Sequence, residues 1–110
     1  MKLAIFDIDN TLIAGDSDLL WGKFLCEKSY IDSTIYESVH KKYYQDYLSG
    51  KLNIDNFLEL QLKVLGDNDL DILKLWREDF INEKIKPIIL PKARKLVDSH
   101  RRKGHSLLII

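Results

Sequence analysis

The chain opens with a short run, Lys2-Leu3-Ala4-Ile5-Phe6, in which apolar residues follow one another without alternation. Such a run predicts a strand buried on both faces of a parallel sheet. From Ile8 to Ser17 the pattern breaks at Asn10, Gly15 and Asp16, residues that favour loops. The spacing then turns helical. Leu20, Trp21, Phe24 and Leu25 make one stripe; Tyr36, Val39, Tyr43 and Tyr47 make a second, ended by Gly50. Phe57, Leu58, Leu62 and Leu65 predict a third helix, with Asn53 and Asp55 as capping residues and Gly66 as its stop. Ile72, Leu73, Trp76 and Phe80 predict a fourth. Pro87 and Pro91 bracket an irregular stretch, after which Ala93, Leu96, Val97 and His100 trace a fifth, begun by Pro91 and ended by Gly104. Leu107-Leu108-Ile109-Ile110 closes the chain as a second buried strand.

The order is therefore strand, loop, four helices, linker, helix, strand. The last helix and strand read as half of a parallel unit whose partner is the first strand. The fold class this implies is α/β, with about two parallel strands and a four-helix insert between them. The predicted divisions are 1–16 for the first strand and its loop, 17–86 for the insert, and 87–110 for the returning helix and strand. A doubly wound sheet usually has about five or six strands. A chain whose second strand ends at Ile110 thus reads as the N-terminal half of a larger fold, its core truncated.

Composition narrows the class only a little. A length of 110 residues and 45% hydrophobic content suit one small globular domain. Seventeen basic residues balance seventeen acidic ones, so no net field draws nucleic acid or an anionic membrane. The basic cluster Lys92, Arg94, Lys95, Arg101, Arg102 and Lys103 lies on one amphipathic helix and reads as a solvated face. A single cysteine, Cys26, excludes an internal disulfide and falls in an apolar helical stripe, as buried filler does. No apolar run approaches the ~20 residues of a membrane span. The expected location is the cytoplasm. The tryptophans and tyrosines read as helical core, and His40, His100 and His105 show no ligand spacing and read as surface or helix-end residues.

The stretch that demands chemistry is "FDIDNT", residues 6 to 11. Asp7 and Asp9 stand at the end of the first strand, where open parallel sheets bind ligands. Carboxylates beside a core are costly unless something compensates them. If the backbone stays extended through Ile8, both side chains point to one side and share one ligand. A divalent cation would cancel their repulsion, and hard oxygen donors suit magnesium.

An apolar strand followed by Asp7-x-Asp9-x-Thr11-Leu12 resembles the first motif of the haloacid dehalogenase superfamily, most of whose members are phosphatases. The stretch "DNTLIAGDSDLLWGKFL" resembles its phosphoserine-phosphatase-like branch (subfamily IB), and more narrowly the bacterial histidinol-phosphatase members. That resemblance implies a Rossmann-like core with a helical cap inserted after the first motif. It implies a magnesium-dependent phosphatase acting on a small phosphorylated metabolite, with histidinol phosphate or phosphoserine favoured. Asp7 matches the nucleophile and Asp9 the general acid–base. Mg2+ is implied on the Asp7 carboxylate and the Asp9 backbone carbonyl. Asn10 and Thr11 belong to the phosphate loop: the Asn10 amide N–H faces phosphate, and the Thr11 hydroxyl buttresses the loop. Asp16 matches an acidic position that contacts the substrate's amino group, although that position is usually Glu. It equally suits a helix N-cap, as do Ser17 and Asp18. The alternatives are a phosphotransferase of the same superfamily and a non-catalytic phospho-acceptor or interaction module. A four-helix insert between the first two strands disfavours a receiver-type acceptor.

Overall fold

The computed structural model describes residues 1–110. It contains β1 (Leu3–Phe6), α1 (Ser17–Glu27), α2 (Ser33–Leu48), α3 (Ile54–Gly66), α4 (Leu70–Phe80), α5 (Pro91–Arg102) and β2 (Ser106–Ile109). The chain divides into two compact units. One comprises Met1–Gly22 with Phe80–Ile110, the other Lys23–Asp79.

In the first unit, β1 and β2 pair in parallel, Leu3 opposite Ser106, Ala4 opposite Leu107, Ile5 opposite Leu108 and Phe6 opposite Ile109. Paired residues share a face of the sheet. The face holding Phe6 meets α5, where the Phe6 and His100 rings pack edge-on at 5.8 Å. Phe6 is buried there, and Ala4 and Leu107 are half-buried. The opposite face is open: Leu3, Ile5 and Leu108 are 60%, 55% and 45% exposed. The expectation of strands buried on both faces is therefore corrected. Two strands and one helix leave the other face about half exposed, and Ile109, beside Phe6, is 54% exposed as well.

The unit is closed by its loops. Ala14 N–H donates to the Ile88 carbonyl (2.9 Å) and Leu90 N–H to the Leu12 carbonyl (3.0 Å), while Ile13 and Ile89 form an antiparallel bridge. These bonds tie the segment after β1 to the segment before α5. Ile13 is buried at the junction. Trp21 packs edge-on against the buried Phe80 at 5.1 Å. That contact joins the first part of α1 to the end of α4 within this unit.

The second unit is helical. Phe24 and Leu25 are its fully buried side chains. Tyr30 stacks on Trp76 at 4.0 Å with rings nearly parallel and meets Phe24 edge-on. Between α2 and α3, His40 lies against Tyr36 and Phe57, and its Nε2 is 3.4 Å from the Gln61 amide nitrogen. His40 is thus part of an aromatic cluster, not a surface residue: it sits mid-helix on the stripe of Tyr36 and Tyr43. Cys26 is half-buried, and burial first, then the Glu37 and Asp32 carboxylates, push its thiol pKa up. A raised thiol pKa fits a packing role.

Helix ends follow local chemistry. Asp32 accepts from the Ile35 N–H and Asn53 from the Asn56 N–H. Gly50 and Gly104 take the left-handed backbone (φ 71° and 73°) that ends α2 and α5. Gly66 does not. It remains within α3, and the stop comes after it, where the Asn68 side chain donates to the Val64 carbonyl at 2.8 Å and Lys63 pairs with Asp67.

Candidate active site

The chain leaves β1 at Asp7, whose backbone is still extended (φ −80°, ψ 146°). Ile8 turns into helical dihedrals, and Ile8–Leu12 form one wide turn closed by Ile13 N–H to the Ile8 carbonyl at 3.3 Å. Extended backbone through Ile8, the condition for two aspartates sharing one side, is therefore not met. Each carboxylate has its own anchor.

Asp7 is exposed at the strand's C-terminal end, and the Thr11 hydroxyl donates to its Oδ2 at 2.8 Å. The wide turn makes that contact possible, because it folds Thr11 back over the residue four before it. One carboxylate oxygen, Oδ2, is held in this way. Asp9 is half-buried and extended (φ −68°, ψ 128°); its Oδ1 accepts from the Ser17 backbone N–H at 2.9 Å. The Ser17 hydroxyl and then its N–H hold the Asp9 carboxyl below the usual carboxylate range, against a smaller upward effect of burial.

Asn10 carries the turn. Its left-handed backbone (φ 54°, ψ 20°) is one that asparagine tolerates better than most residues. Its backbone N–H donates to the Gly15 carbonyl at 3.0 Å, a bond within the loop. At Gly15 a Cβ would lie 3.2 Å from Ile88 Cδ1 and 3.4 Å from Leu20 Cδ1, so those side-chain ends would have to give by a few tenths of an ångström. Asp16 caps α1, its Oδ1 accepting from the Asp18 and Leu19 N–H groups at 3.0 and 3.1 Å. Its Oδ2 takes no part in the cap.

Asp7, Asp9, Asn10, Thr11 and Asp16 thus lie on one segment of the first unit, between β1 and α1. Ser17, which sequence offered only as one of three possible caps, proves to be the partner of Asp9. The signal was its place one turn before the Leu20-Trp21-Phe24 stripe, at the helix start, where an orphan N–H must find an acceptor. A second unforeseen pair, His100 Nδ1 and His105 Nδ1 at 2.9 Å, sits at the far end of α5.

No group of three or more His, Cys, Asp or Glu side chains converges as a metal site within this chain. The sequence pattern of the haloacid dehalogenase-like hydrolases matches residues 4–110. The chain belongs to that family. As a haloacid dehalogenase-like chain it is 42% identical over 109 residues to the histidinol-phosphatase of Neisseria meningitidis serogroup C (strain 8013), covering 99% of itself and 49% of that protein. It superposes on the crystal structure of a Bordetella pertussis Tohama I protein of unknown function with a TM-score of 0.87 and 27% identity, again covering 99% of itself and 49% of that chain. This member of the family therefore spans about half the length of the relatives it matches. Its fold is α/β, and no helix in it is long and apolar enough to cross a membrane.

Proposed function

We propose that this chain supplies the nucleophile-bearing half of a magnesium-dependent phosphatase that hydrolyses a small phosphomonoester through an aspartyl-phosphate. The observation that carries the reading is Asp7: an exposed carboxylate at the C-terminal end of a parallel strand, one oxygen fixed by Thr11. Family membership and the Neisseria relative's name support the reaction class.

The residues divide the chemistry. Asp7 attacks phosphorus with its free oxygen; a new Asp–O–P bond forms as the bond from phosphorus to the leaving alkoxide breaks. Asp9 hands its proton to that alkoxide. In the second half Asp9, now an anion, takes a proton from water. The water oxygen bonds to phosphorus, and the Asp7–phosphorus bond breaks to release phosphate. Ser17 favours the anion of Asp9, which suits the water-activating step. The arriving phosphate dianion opposes Ser17, because a like charge nearby raises a carboxyl pKa.

The donor set also fits a hard cation, since the protein's usual share in binding magnesium is one or two carboxylates, completed by water and substrate phosphate. Asp7 would hold it by side chain; Asp9, whose side chain is taken by Ser17, would hold it by its backbone carbonyl. The ion supplies charge neutralisation on the transferred phosphoryl group. The favoured substrates are amino-bearing phosphates, histidinol phosphate or phosphoserine, with Asp16 Oδ2 toward the amino group.

The test uses the complete fold, meaning these residues together with the half that the relatives carry beyond them. Asp7→Asn should reduce turnover to background with the fold retained. Asp9→Asn should still phosphorylate Asp7 from an aryl phosphate, detectable by mass, while alkyl phosphates lose ~10²–10⁴-fold. Wild-type activity in Asp7→Asn would rule the reading out.

A further inference from the structure

The start of α1 is satisfied entirely by carboxylates, and they divide the task. Asp16 takes the second and third N–H groups of the helix, those of Asp18 and Leu19. The first N–H, that of Ser17, goes past Asp16 to Asp9, eight residues back in sequence, at 2.9 Å. An ordinary N-cap serves its own helix and needs no such detour. With Asp16 already in place, the helix gains little from a second acceptor. Asp9 gains much more, because a carboxylate on a half-buried loop has one of its oxygens fixed by a rigid element.

We propose that Ser17 is a positioning residue, whose N–H and hydroxyl aim the Asp9 carboxyl at the oxygen that leaves phosphorus. The inference rests on the reading of Asp9 as the acid–base. Ser17 touches neither substrate nor the reacting atoms; it acts through Asp9 alone. Its effect is therefore confined to the proton transfer and does not extend to phosphate binding or to attack by Asp7.

Proline isolates this role. It lacks an N–H, is favoured at the first position of a helix, and accepts a preceding residue in the extended region that N-caps adopt. Ser17→Pro removes both donors to Asp9 while leaving Asp16 to cap α1. Ser17→Ala removes only the hydroxyl, and Ser17→Thr retains both donors. In the complete fold, kcat/KM is measured for an alkyl phosphate, whose leaving group needs a proton, and for 4-nitrophenyl phosphate, whose leaving group needs little.

The expected result for Ser17→Pro is a loss of about 10- to 100-fold on the alkyl substrate, within the range a positioned acid contributes, and less than about threefold on the aryl substrate. Ser17→Ala should show the same selectivity, smaller in size, and Ser17→Thr should recover most of the alkyl rate. In an Asp9→Asn background the Ser17 substitutions should have no further effect. Equal losses on both substrates, or none on either, in both Ser17→Pro and Ser17→Ala would overturn the inference. So would undiminished Ser17 effects once Asp9 is gone. Asp9→Asn alone separates the two levels. If it spares alkyl and aryl substrates alike, the reading of Asp9 itself fails and the role of Ser17 goes with it. If it is selective and both Ser17 variants are not, only the present inference falls. If Ser17→Pro does not fold, Ser17→Ala and Ser17→Thr decide the matter by the same ratio.

Discussion

At the scale of single residues, the two aspartates in "DID" are separated by their anchors, and their behaviour should separate too. Asp9 has a folded-state pKa below its ordinary value because Ser17 hydrogen-bonds its anion. The fold therefore favours the anion over the unfolded chain does. That contribution is fully present above the ordinary carboxylate pKa of about 3.9, and disappears as pH falls through the lower folded value. Thermal unfolding of wild type and Asp9→Asn across acid pH checks the sign: the gap should be constant near neutrality and close toward the acid end. A gap that widened on acidification would contradict the assignment of Ser17 as donor to an anion. Asp16 allows a cleaner separation of roles than most caps. Asn is as good an N-cap as Asp, so Asp16→Asn keeps α1 and removes only charge. In the complete fold it should raise KM for an amino-bearing phosphate up to about fivefold, the loss of one exposed ionic contact of ~1 kcal/mol, and leave KM for a neutral aryl phosphate unchanged. Equal effects on both would confine Asp16 to capping.

At the scale of elements, caps do local work that the structure lets one measure. Asn53 accepts from the Asn56 N–H at 3.1 Å and starts α3 in the helical unit. Asn53→Ala should cost about 1 kcal/mol, whereas Asn53→Asp should be near neutral; urea titration of the two variants distinguishes them. Most of these elements were legible from the chain alone, for a physical reason. Helical stripes such as Leu20-Trp21-Phe24-Leu25 record which side of a helix meets a core, and glycine after a polar helix end records a left-handed backbone. Gly50 and Gly104 obey that rule, but Gly66 does not, because a glycine is permitted in α3 without being required there. What could not be read was anything set by a contact distant in sequence. The wide turn at Ile8 is closed by its own bonds, Ile13 N–H to Ile8 and Asn10 N–H to Gly15, but the segment after it is held by Ala14 to Ile88 and Leu90 to Leu12, and no period within residues 8–12 encodes either. His40 belongs to an aromatic cluster only because α3 brings Phe57 and Gln61 beside it. The identities of Asp7 and Asp9 stood out in sequence; their partners, Thr11 and Ser17, required the turn.

At the scale of the whole molecule, the open face of the sheet dominates. Leu3, Ile5 and Leu108 share one side of the sheet and are about half exposed, and both outer strand edges present unpaired backbone groups. Contiguous exposed apolar surface of this kind marks a face that another element covers. The matched relatives carry about as much chain again as is present here. Phosphoryl transfer relies on positioned positive charge, and this chain gathers no third acidic ligand for a cation around Asp7 and Asp9. The expectation for the purified 110-residue chain is therefore twofold. It should bind an apolar dye or self-associate, and replacing Ile5 and Leu108 together by Thr should suppress this. It should also give no magnesium-dependent release of 4-nitrophenol at ordinary enzymatic rates, on the order of 1 to 10³ per second. Both properties should change together when a second polypeptide bearing the remaining half of a relative's fold is added: dye binding falls and turnover appears. A monomeric chain that binds no dye would mean that the face tolerates water as it stands. Turnover by the chain alone would mean that Asp7, Asp9 and the loop they anchor suffice for the chemistry.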